Sequence, residues 1–274
     1  MDVVGTLTTE GRRATMPRSG DPGRSVSSRL LDVLFAFEPD HRVLSLADLV
    51  RITGMPHATT RRFALELVNA GALDRLADGR YAVGLRLWQV GTLAPNTESL
   101  RTAAYPFLED LNAALHQHVQ LAVLEDDRAV VIERLSAPHA VGLASRVGGR
   151  LPLHCSGVGK VLLAHADPDL VDRVLGRPLR RYTPQTILDA QTLRAELATC
   201  RRTGVSVVRS ELTPHADSAA TRVVDAEGRV VAAMSVVVRA GSVELNAAVP
   251  SLIASGLGLS RRLGWRPGVA VRGG

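Results

Sequence analysis

The sequence predicts an α+β protein with an N-terminal winged helix-turn-helix and a C-terminal domain built around a largely antiparallel sheet. Two observations support this fold class. Ahead of Gly84, apolar residues recur at helical spacing in short segments that precede a hairpin signal, and from Val119 onward β-rich segments alternate with helical ones. With 274 residues, of which 46% are hydrophobic and 22% charged, the chain is long enough for two globular domains.

The N-terminal domain is expected to begin after a segment without periodic apolar residues. Residues 1–23 are rich in Thr, Gly, Arg and Pro, and they are predicted to form a disordered tail. Apolar residues at helical spacing then predict a first helix that starts at Ser25 and stops near Pro39.

A helix-turn-helix is predicted from the next two helices, which are short and joined by a glycine turn. Ser45 and Asp48 have the spacing of a capping box, and the helix that they open stops at Gly54, which suits the left-handed turn past a helix end. Pro56 suits the first turn of the following helix, which stops at Gly71. The side chains of this third helix that are expected to face inward are Thr60, Phe63, Ala64 and Leu67.

A hairpin wing is predicted directly after these helices. The strand candidates 73–76 and 80–83 flank Asp78-Gly79, which is a strong turn signal because both central residues tolerate a positive φ. The helices and the hairpin together define a winged helix-turn-helix domain at residues 24–86.

The rest of the chain is predicted to form a linker helix at residues 87–100 and an α+β domain at residues 101–274. Turn signals at 126–127 and 226–228 join neighbouring strands, so a largely antiparallel sheet is expected. The predicted strands are 119–124, 130–135, 141–147, 204–208, 220–224 and 230–238. The predicted helices are 85–93, 98–116, 156–166, 168–175, 189–203 and 243–263.

Composition argues against several kinds of site. Cys155 and Cys200 lie far apart and the eight histidines have no ligand-like spacing, so neither a disulfide nor a metal site is expected, and no cofactor is predicted. The longest apolar run, Val230 to Val238, is too short to span a bilayer, so we expect a cytoplasmic protein without a membrane partner. A formal charge of +6 allows a nucleic acid as partner. Aromatic residues, which can stack on bases, make up only 3% of the chain, so base-stacking platforms are not expected.

The outward face of the third helix is the strongest functional signal. If its apolar side chains point inward, residues near its N-terminal end project outward, where a recognition helix meets base edges in the major groove. We expect Arg61 to pair with guanine and Thr59 or Arg62 to contact phosphate. The simpler alternative is an ordinary solvated helix face. The predicted DNA-contacting residues are Ser45, His57, Ala58, Thr59, Thr60, Arg61, Arg62 and, beside the wing, Arg75 and Arg80.

The stretch LPLHCSGVGKV, residues 151–161, contains a Gly-Lys pair that suggests a phosphate loop. His154 and Val161 occupy the positions where such a loop needs a glycine and a hydroxyl, so a nucleotide site is not expected. The plainer prediction is that Ser156 caps a short helix. An enzyme that uses His154 and Cys155 is an alternative, but adjacency in sequence is not the geometry of a nucleophile and its base, and no catalytic residue is predicted.

Five segments of the chain carry a family resemblance. They are GMPHATTRRFALELVNAGAL, DGRYAVGLRLWQVG, VQLAVLEDDRAVVIERLSAP, ASRVGGRLPLHCSGVGKVLLA and DAEGRVVAAMSV. In this order, from Arg24 to Gly264, they resemble the IclR-type transcriptional regulators. The resemblance implies a winged helix-turn-helix that dimerises on double-stranded operator DNA, a linker helix, and a C-terminal GAF-like domain. That domain would bind a small metabolite, often an organic acid, in a homodimer or in a homotetramer of paired dimers.

The same resemblance implies which residues face the effector. Arg209 stands where the family often has an acidic residue, and there it would favour an anionic ligand. Alternatively, Arg209 points to solvent and the valines beside it fill the core. A DNA-binding regulator without an effector and an enzyme that uses the C-terminal domain are the alternative functions. The residues implied to face the effector are Leu143, Cys155, Ser156, Gly157, Val208, Arg209, Ser218, Ser235 and Val237.

Overall fold

The computed structural model describes residues 25–38, 41–91, 95–138 and 145–266. The predicted tail, residues 1–23, lies outside these ranges. The chain divides into two compact units, one before Pro95 and one from Pro95 onward. None of the described helices is long and apolar enough to cross a bilayer.

The N-terminal unit is a winged helix-turn-helix, as the sequence predicts. Its helices are α1 (Val26–Leu34), α2 (Leu46–Thr53), α3 (His57–Asn69) and α4 (Leu85–Gly91), and its strands are β1 (Val43–Leu44), β2 (Leu73–Arg75) and β3 (Tyr81–Val83). The three strands are antiparallel in the order β1-β3-β2. β1 was absent from the sequence prediction because two residues are too few to show a periodic pattern.

Local capping sets the limits of the helix-turn-helix. Asp48 N donates to Ser45 Oγ and Ser45 N donates to Asp48 Oδ2, each at 3.1 Å, which closes the predicted capping box. Hydrogen bonds from the Ser45 hydroxyl and from Arg51 lower the pKa of Asp48 to about 2. Gly54 ends α2 with a φ of 67°, and Gly71 follows α3 with a φ of 73°, both in the left-handed region.

The wing is a hairpin that turns at the predicted Asp78-Gly79 pair. Gly79 N donates to Leu76 O at 2.9 Å and Leu76 N donates to Arg80 O at 2.8 Å, so residues 77–79 form the loop. Gly79 has a φ of 81° and the residue before it has no positive φ. This loop lies between the predicted strands 73–76 and 80–83, and a β-turn followed by a left-handed glycine, a common three-residue connection, closes the wing.

The core of the N-terminal unit surrounds Phe63, which is fully buried. Its burial confirms the inward face predicted for α3, and it leaves the opposite face of that helix to solvent. The other buried apolar side chains of this core are Val33, Ala36, Leu44, Leu49, Met55, Ala64, Leu67, Leu73 and Tyr81.

The C-terminal unit is an α+β domain with one six-stranded sheet. Its strands are β4 (His118–Glu125), β5 (Arg128–Leu135), β6 (Arg150–Pro152), β7 (Val205–Arg209), β8 (Ala216–Val224) and β9 (Val230–Arg239). Its helices are α5 (Pro95–Leu115), α6 (Gly157–Ala164), α7 (Pro168–Leu175), α8 (Ala190–Thr203) and α9 (Glu244–Arg262). The order β6-β5-β4-β9-β8-β7 is antiparallel throughout, with β7 at one edge.

Helices cover both faces of this sheet. α5 and α9 pack on the face that carries Leu121 and Met234, whereas α6, α7 and α8 pack on the face that carries Ala122 and Ala233. Successive side chains of a strand point to opposite faces, so the central strands contribute to both cores. By the same alternation, Gln120 lies on the face covered by α6.

Several elements of the C-terminal unit differ from the predictions, and β8 begins at Ala216 although the predicted strand began at residue 220. The predicted strand at 141–147 is wrong where it can be compared, because residues 145–147 form no strand, while 141–144 lie outside the described residues. The chain instead forms β6, which pairs with β5. Helix α5 begins earlier than predicted, at Pro95, because the missing N–H of a proline costs nothing in the first turn of a helix.

Candidate functional site

The outward face of α3 forms the first candidate site. His57, Ala58, Arg61 and Arg62 are exposed and Thr59 is half-buried. Pro56 precedes the helix and provides no side-chain cap, so the first amides of α3 remain available to an outside acceptor. Arg61 makes no hydrogen bond or ion pair with any residue that the structure describes. The predicted base-reading guanidinium is therefore free to contact another molecule.

Arg62 is held more closely than Arg61. Its guanidinium carbon lies 5.0 Å from the centroid of the Phe63 ring, and its Nε lies 3.9 Å from Glu66 Oε1. Both contacts draw the side chain along the helix surface. In this position the Arg62 side chain is better placed for the predicted contact with a phosphate beside the helix than for a contact with a base.

Thr60 does not belong to this face. Its side chain is fully buried, and its hydroxyl donates to Pro56 O at 3.2 Å and to Met55 O at 3.4 Å. The inclusion of Thr60 among the DNA-contacting residues is therefore wrong. The helical spacing that it shares with Phe63 already assigned it to the core.

The remaining predicted DNA-contacting residues lie at the wing and at the start of α2. Arg75 is exposed on β2. Arg80 is exposed but engaged, because its Nη2 lies 2.7 Å from Asp78 Oδ2, and hydrogen bonds from the backbone and side chain of Arg80 lower the pKa of Asp78. The Ser45 hydroxyl donates to Asp48 Oδ2 at 2.7 Å as part of the capping box.

A cavity in the C-terminal unit forms the second candidate site. It lies between α6 and the sheet and has an empty volume of about 450 Å³, its open mouth included. None of the described lining residues carries a charge or an aromatic ring. They are Gln120, Ser145, Leu151, Cys155, Ser156, Gly157, Val158, Val208, Leu212, Thr213, Ala216, Ser218, Ser235 and Val237.

Seven of the nine residues implied to face the effector lie in this cavity wall. Leu143 lies outside the described residues. Arg209 is a correction: it alternates with the buried Val208 on the edge strand β7, its side chain is 58% exposed, and its Nη1 lies 3.6 Å from Asp217 Oδ2. Arg209 points away from the cavity and cannot select an anion there. Exposure of Arg209 to solvent is the alternative that the sequence left open.

Sequence reasoning missed three polar residues of the wall, Gln120, Ser145 and Thr213. Gln120 is 3% exposed and Ser145 is 9% exposed, and Gln120 Oε1 and Ser145 Oγ have no hydrogen-bond partner among the residues that the structure describes. Gln120 could have been found, because it is the one polar residue in the apolar run 119–124. Ser145 carried no comparable signal.

The Gly-x-Gly-Lys stretch shapes one end of the cavity. Ser156 caps α6 by accepting from Gly159 N at 3.2 Å, and its hydroxyl donates to Pro152 O at 2.6 Å. A Cβ on Gly157 would lie 2.8 Å from Ser218 Oγ, so this glycine lets α6 lie directly on β8. The glycines therefore serve close packing at the start of the helix.

We expect the variant Gly159→Ala to lose about 1–3 kcal/mol of the free energy of unfolding. A Cβ at this position would lie 2.6 Å from Pro152 O and 2.7 Å from Leu153 Cα, and backbone atoms cannot rotate away. Urea unfolding of the full chain measures the change. Gly91→Ala is the matched control, since a Cβ there meets no described atom within 4 Å; an equal loss in both variants would contradict the packing role of Gly159.

Lys160 settles the question of a phosphate loop. Its side chain is 2% exposed, and its Nζ lies 2.5 Å from Glu196 Oε2 and 2.6 Å from Glu211 Oε1. Two carboxylates already neutralise the ammonium group, so it has no charge to offer a phosphate. The loop therefore anchors α6 to α8 and to the segment after β7, and the expectation that it is not a nucleotide site agrees with this geometry.

His154 and Cys155 lack the properties of an active site. Burial raises the pKa of the Cys155 thiol to about 12, which keeps it protonated and a poor nucleophile. Burial also lowers the pKa of His154, whose Nε2 is engaged with a backbone carbonyl, Arg180 O, at 2.9 Å. Within the described part of the chain, no group of three or more His, Cys, Asp or Glu residues could hold a metal ion.

Two family descriptions match the sequence. Residues 94–256 match "Bacterial transcriptional regulator IclR C-terminal", which spans more than half of the chain. Residues 27–77 match "IclR helix-turn-helix domain". The two matches coincide with the sheet domain and with the winged unit.

Named relatives are similar over most of their length. The Pca regulon regulatory protein of Pseudomonas putida is 32% identical over 229 residues, covering 82% of this chain and 78% of its own. The transcriptional repressor IclR of Escherichia coli is 28% identical over 201 residues, covering 72% and 73%. The crystal structure of an IclR homolog from Microbacterium hydrocarbonoxydans, complexed with 4-hydroxybenzoate, has 34% identity and a TM-score of 0.83, and covers 87% of this chain and 99% of that one.

Proposed function

This chain belongs to the IclR family of bacterial transcriptional regulators, and from that premise we propose that it reads its operator with α3 and senses a small organic acid in the cavity beneath α6. It is a DNA-binding transcriptional regulator with an effector-binding C-terminal domain. The proposal adds which residues read the DNA, what kind of ligand binds and how the two events are coupled.

The operator contact rests on the unoccupied face of α3. Arg61 has the length and the planar donors to pair with guanine O6 and N7, and the uncapped amides after Pro56 can donate hydrogen bonds to a phosphate oxygen. Arg62 and the wing residue Arg75 add positive charge on either side of the groove. Successive major grooves of a palindromic operator would each receive one copy of α3.

We propose that the regulator acts as a homodimer. Exposed apolar side chains on α1 and α4 support this assembly, because single exposed residues are common but several large ones on two helices of one unit favour a partner. They are Val26, Leu31, Leu85, Trp88 and Val90. Because its target is chromosomal DNA, the protein would act in the cytoplasm.

The start of α6 supports an anionic effector. Ser156 Oγ occupies the amide of Gly159, whereas no described group accepts from the amides of Gly157 and Val158, which lie in the cavity wall. A helix N-terminus with unused amides favours a carboxylate. Since the described wall has no cationic side chain, these amides are the groups that would bind an organic acid. The relative that holds 4-hydroxybenzoate carries an acid of this kind.

Binding would change the operator affinity by a modest factor. An effector can shift the equilibrium between two arrangements of a dimer only by the difference between its binding free energies for them. This difference is typically about 1–3 kcal/mol. The protonated thiol of Cys155 supports ligand binding in this cavity over catalysis. The cavity itself supports an effector-responsive regulator over one that lacks an effector.

We expect a small organic acid to change the operator dissociation constant by about 5–150-fold. The operator is first selected with the purified protein from fragments of the source genome, and acids are then titrated at fixed salt. Val208→Phe, which fills the cavity, should remove the response without weakening the operator complex formed in the absence of acid. Val207→Phe, on the exposed face of the same strand, is the matched control and should keep the response. A response that survives in Val208→Phe would exclude this cavity as the sensing site.

A further inference from the structure

We infer that Glu133 is a positioning residue that connects the cavity wall to the linker helix α5, so that a change at the wall alters operator affinity through this carboxylate. This role rests on the proposed function, in which the cavity and the operator contact belong to one regulator. It adds the contact through which the two sites of that regulator are coupled.

The carboxylate of Glu133 joins two different elements. Its Oε2 accepts from Arg101 Nη2 at 2.9 Å and from Arg101 Nε at 3.2 Å, and Arg101 lies near the start of α5. Its Oε1 accepts from the backbone amide of Arg134 at 2.8 Å. The Glu133 side chain is 12% exposed, so water competes little for these bonds. One oxygen of the carboxylate therefore holds the linker helix, and the other holds the backbone of β5.

The side chain of Arg134 continues this connection to the cavity. Arg134 pairs with Gln120 across β4 and β5, so its side chain points to the face that α6 covers. It donates through Nη1 to the backbone oxygen of Ser145, a residue of the cavity wall, and through Nε to Ser136 Oγ at 3.0 Å. Glu133 precedes Arg134 on the strand and points to the opposite face, which α5 covers. The two faces of the sheet are thus linked by two consecutive residues.

Strand β5 is irregular at this point. Leu121 pairs with Glu133 and Ala122 pairs with Val131, so Ile132 is an extra residue without a counterpart in β4. Such a bulge interrupts the hydrogen-bond ladder and is common beside binding sites, where it directs a side chain. A shift of β5 at the bulge breaks fewer ladder bonds than a shift in a regular strand, so the residues next to it can respond to the cavity.

A displacement of Ser145 would therefore be transmitted to α5. Ser145 Oγ is buried in the wall and has no partner among the described residues, so a ligand has a group to contact there. Movement of Ser145 O pulls the Arg134 guanidinium and turns the Arg134 amide away from Glu133. The carboxylate then holds Arg101 differently. The chain passes from the winged unit to α5 at Pro95, shortly before Arg101, so the change acts at the start of the linker helix.

A double-mutant cycle on operator affinity tests this connection without any effector. Arg134→Met releases Ser145 and should change the operator dissociation constant by about 3–30-fold, as expected for a residue that carries coupling. Glu133→Gln replaces one acceptor oxygen by an NH₂ donor, so the side chain can no longer hold both Arg101 and the Arg134 amide. In the Glu133→Gln background the effect of Arg134→Met should fall below about 1.5-fold. Fluorescence anisotropy of the full chain with labelled operator duplex, at fixed salt, measures all four proteins.

Further variants separate coupling from simple docking of the helix. Arg101→Met should suppress the effect of Arg134→Met as Glu133→Gln does, whereas Arg101→Lys keeps a cation beside the carboxylate and should retain part of it. Arg128→Met is the matched control, since Arg128 begins the same strand and its Nε lies 3.7 Å from Asp127 Oδ1. It removes the same charge and should leave operator affinity near that of the wild type. A purely structural ion pair would lower stability but leave the effects of the two substitutions independent.

The outcomes distinguish this role from the proposed function. If Arg134→Met has the same effect in the wild-type and Glu133→Gln backgrounds, or no effect in the wild type, Glu133 does not couple the two sites, and the organic-acid sensor stands. Failure of the wild type to bind any operator overturns both. If Arg134→Met does not fold, Ser136→Ala, which removes the acceptor of Arg134 Nε, takes its place. Its effect should be at least about twofold in the wild type and should disappear in Glu133→Gln; an effect of equal size in both would overturn the coupling role.

Discussion

Replacement of Lys160 by methionine is expected to lower the free energy of unfolding by about 3–5 kcal/mol, the usual cost of removing one partner of a buried ion pair. Methionine preserves the unbranched apolar stem, so the loss reflects the missing charge. Glu211 would remain 7% exposed without its cation, and Glu211 Oε2 already lacks a partner among the described residues. Urea unfolding of the full chain, followed by circular dichroism, measures the effect.

The matched control is Arg194→Met, which removes an exposed ion pair of similar length. Arg194 Nη2 lies 2.9 Å from Asp172 Oδ1, and both side chains are more than half exposed. This variant should lose less than about 1 kcal/mol. Adding Glu211→Gln to Lys160→Met should recover part of the loss, because the unpaired carboxylate disappears. Equal losses for Lys160→Met and Arg194→Met would mean that the buried pair contributes nothing specific.

The cost of Lys160→Met should depend on pH. Burial raises the pKa of the Glu211 carboxyl, and the ion pair with Lys160 opposes that rise. Without Lys160 the folded-state pKa rises further above the unfolded value, so the folded state of the variant binds a proton more readily. Stability of the variant is then retained at low pH and lost as the pH rises through the folded-state pKa. The deficit relative to the wild type should be smaller near pH 5 than near pH 8.

Replacement of Arg61 by alanine is expected to weaken operator binding by about 1–3 kcal/mol for each base contact, and a homodimer loses two such contacts. Arg61 is exposed and unpaired within the described residues, so the change removes no intramolecular contact and should leave stability almost unchanged. Specificity at the contacted base pair should relax as affinity falls. Fluorescence anisotropy with labelled operator duplexes, at fixed salt, measures both effects.

Arg173→Ala separates base reading from general electrostatics. Arg173 is exposed on α7, so this control removes the same charge far along the chain from α3. Its operator affinity should stay near that of the wild type. Arg62→Ala should weaken all duplexes alike and reduce the salt dependence by about one phosphate contact. Unchanged affinity in Arg61→Ala would contradict the assignment of α3 as the reading helix.

The winged unit could be predicted closely because its signals are local. The capping box of Ser45 and Asp48, the left-handed glycine at Gly54 and the proline before α3 each act through neighbours within one turn of helix. The helical spacing between Thr60 and Phe63 already placed Thr60 in the core, so the prediction that Thr60 contacts DNA conflicted with a signal in the sequence. The wing turn was also predicted from a local signal, the Asp78-Gly79 pair between the two strands.

The cavity depended on long-range packing that no local pattern contains. The family resemblance implied most of its wall, but it also implied Arg209, whose direction is decided by the pairing of β7 with β8. Gln120 stands out in the sequence as a polar residue in an apolar run, yet only the register of β4 with β9 places it opposite the start of α6. The sequence argued against a phosphate loop at Lys160, but only the structure shows that this lysine is a buried cation between two glutamates.

The sequence by itself determined the order and type of nearly all the described elements, the outward face of α3 and the family, because caps, turns and apolar periods act between residues close along the chain. Only the tertiary structure decided which polar side chains meet in the cavity, which arginine points to solvent and how Lys160 is neutralised. These properties come from strand register and from packing between residues distant in sequence, for example Lys160 and Glu211.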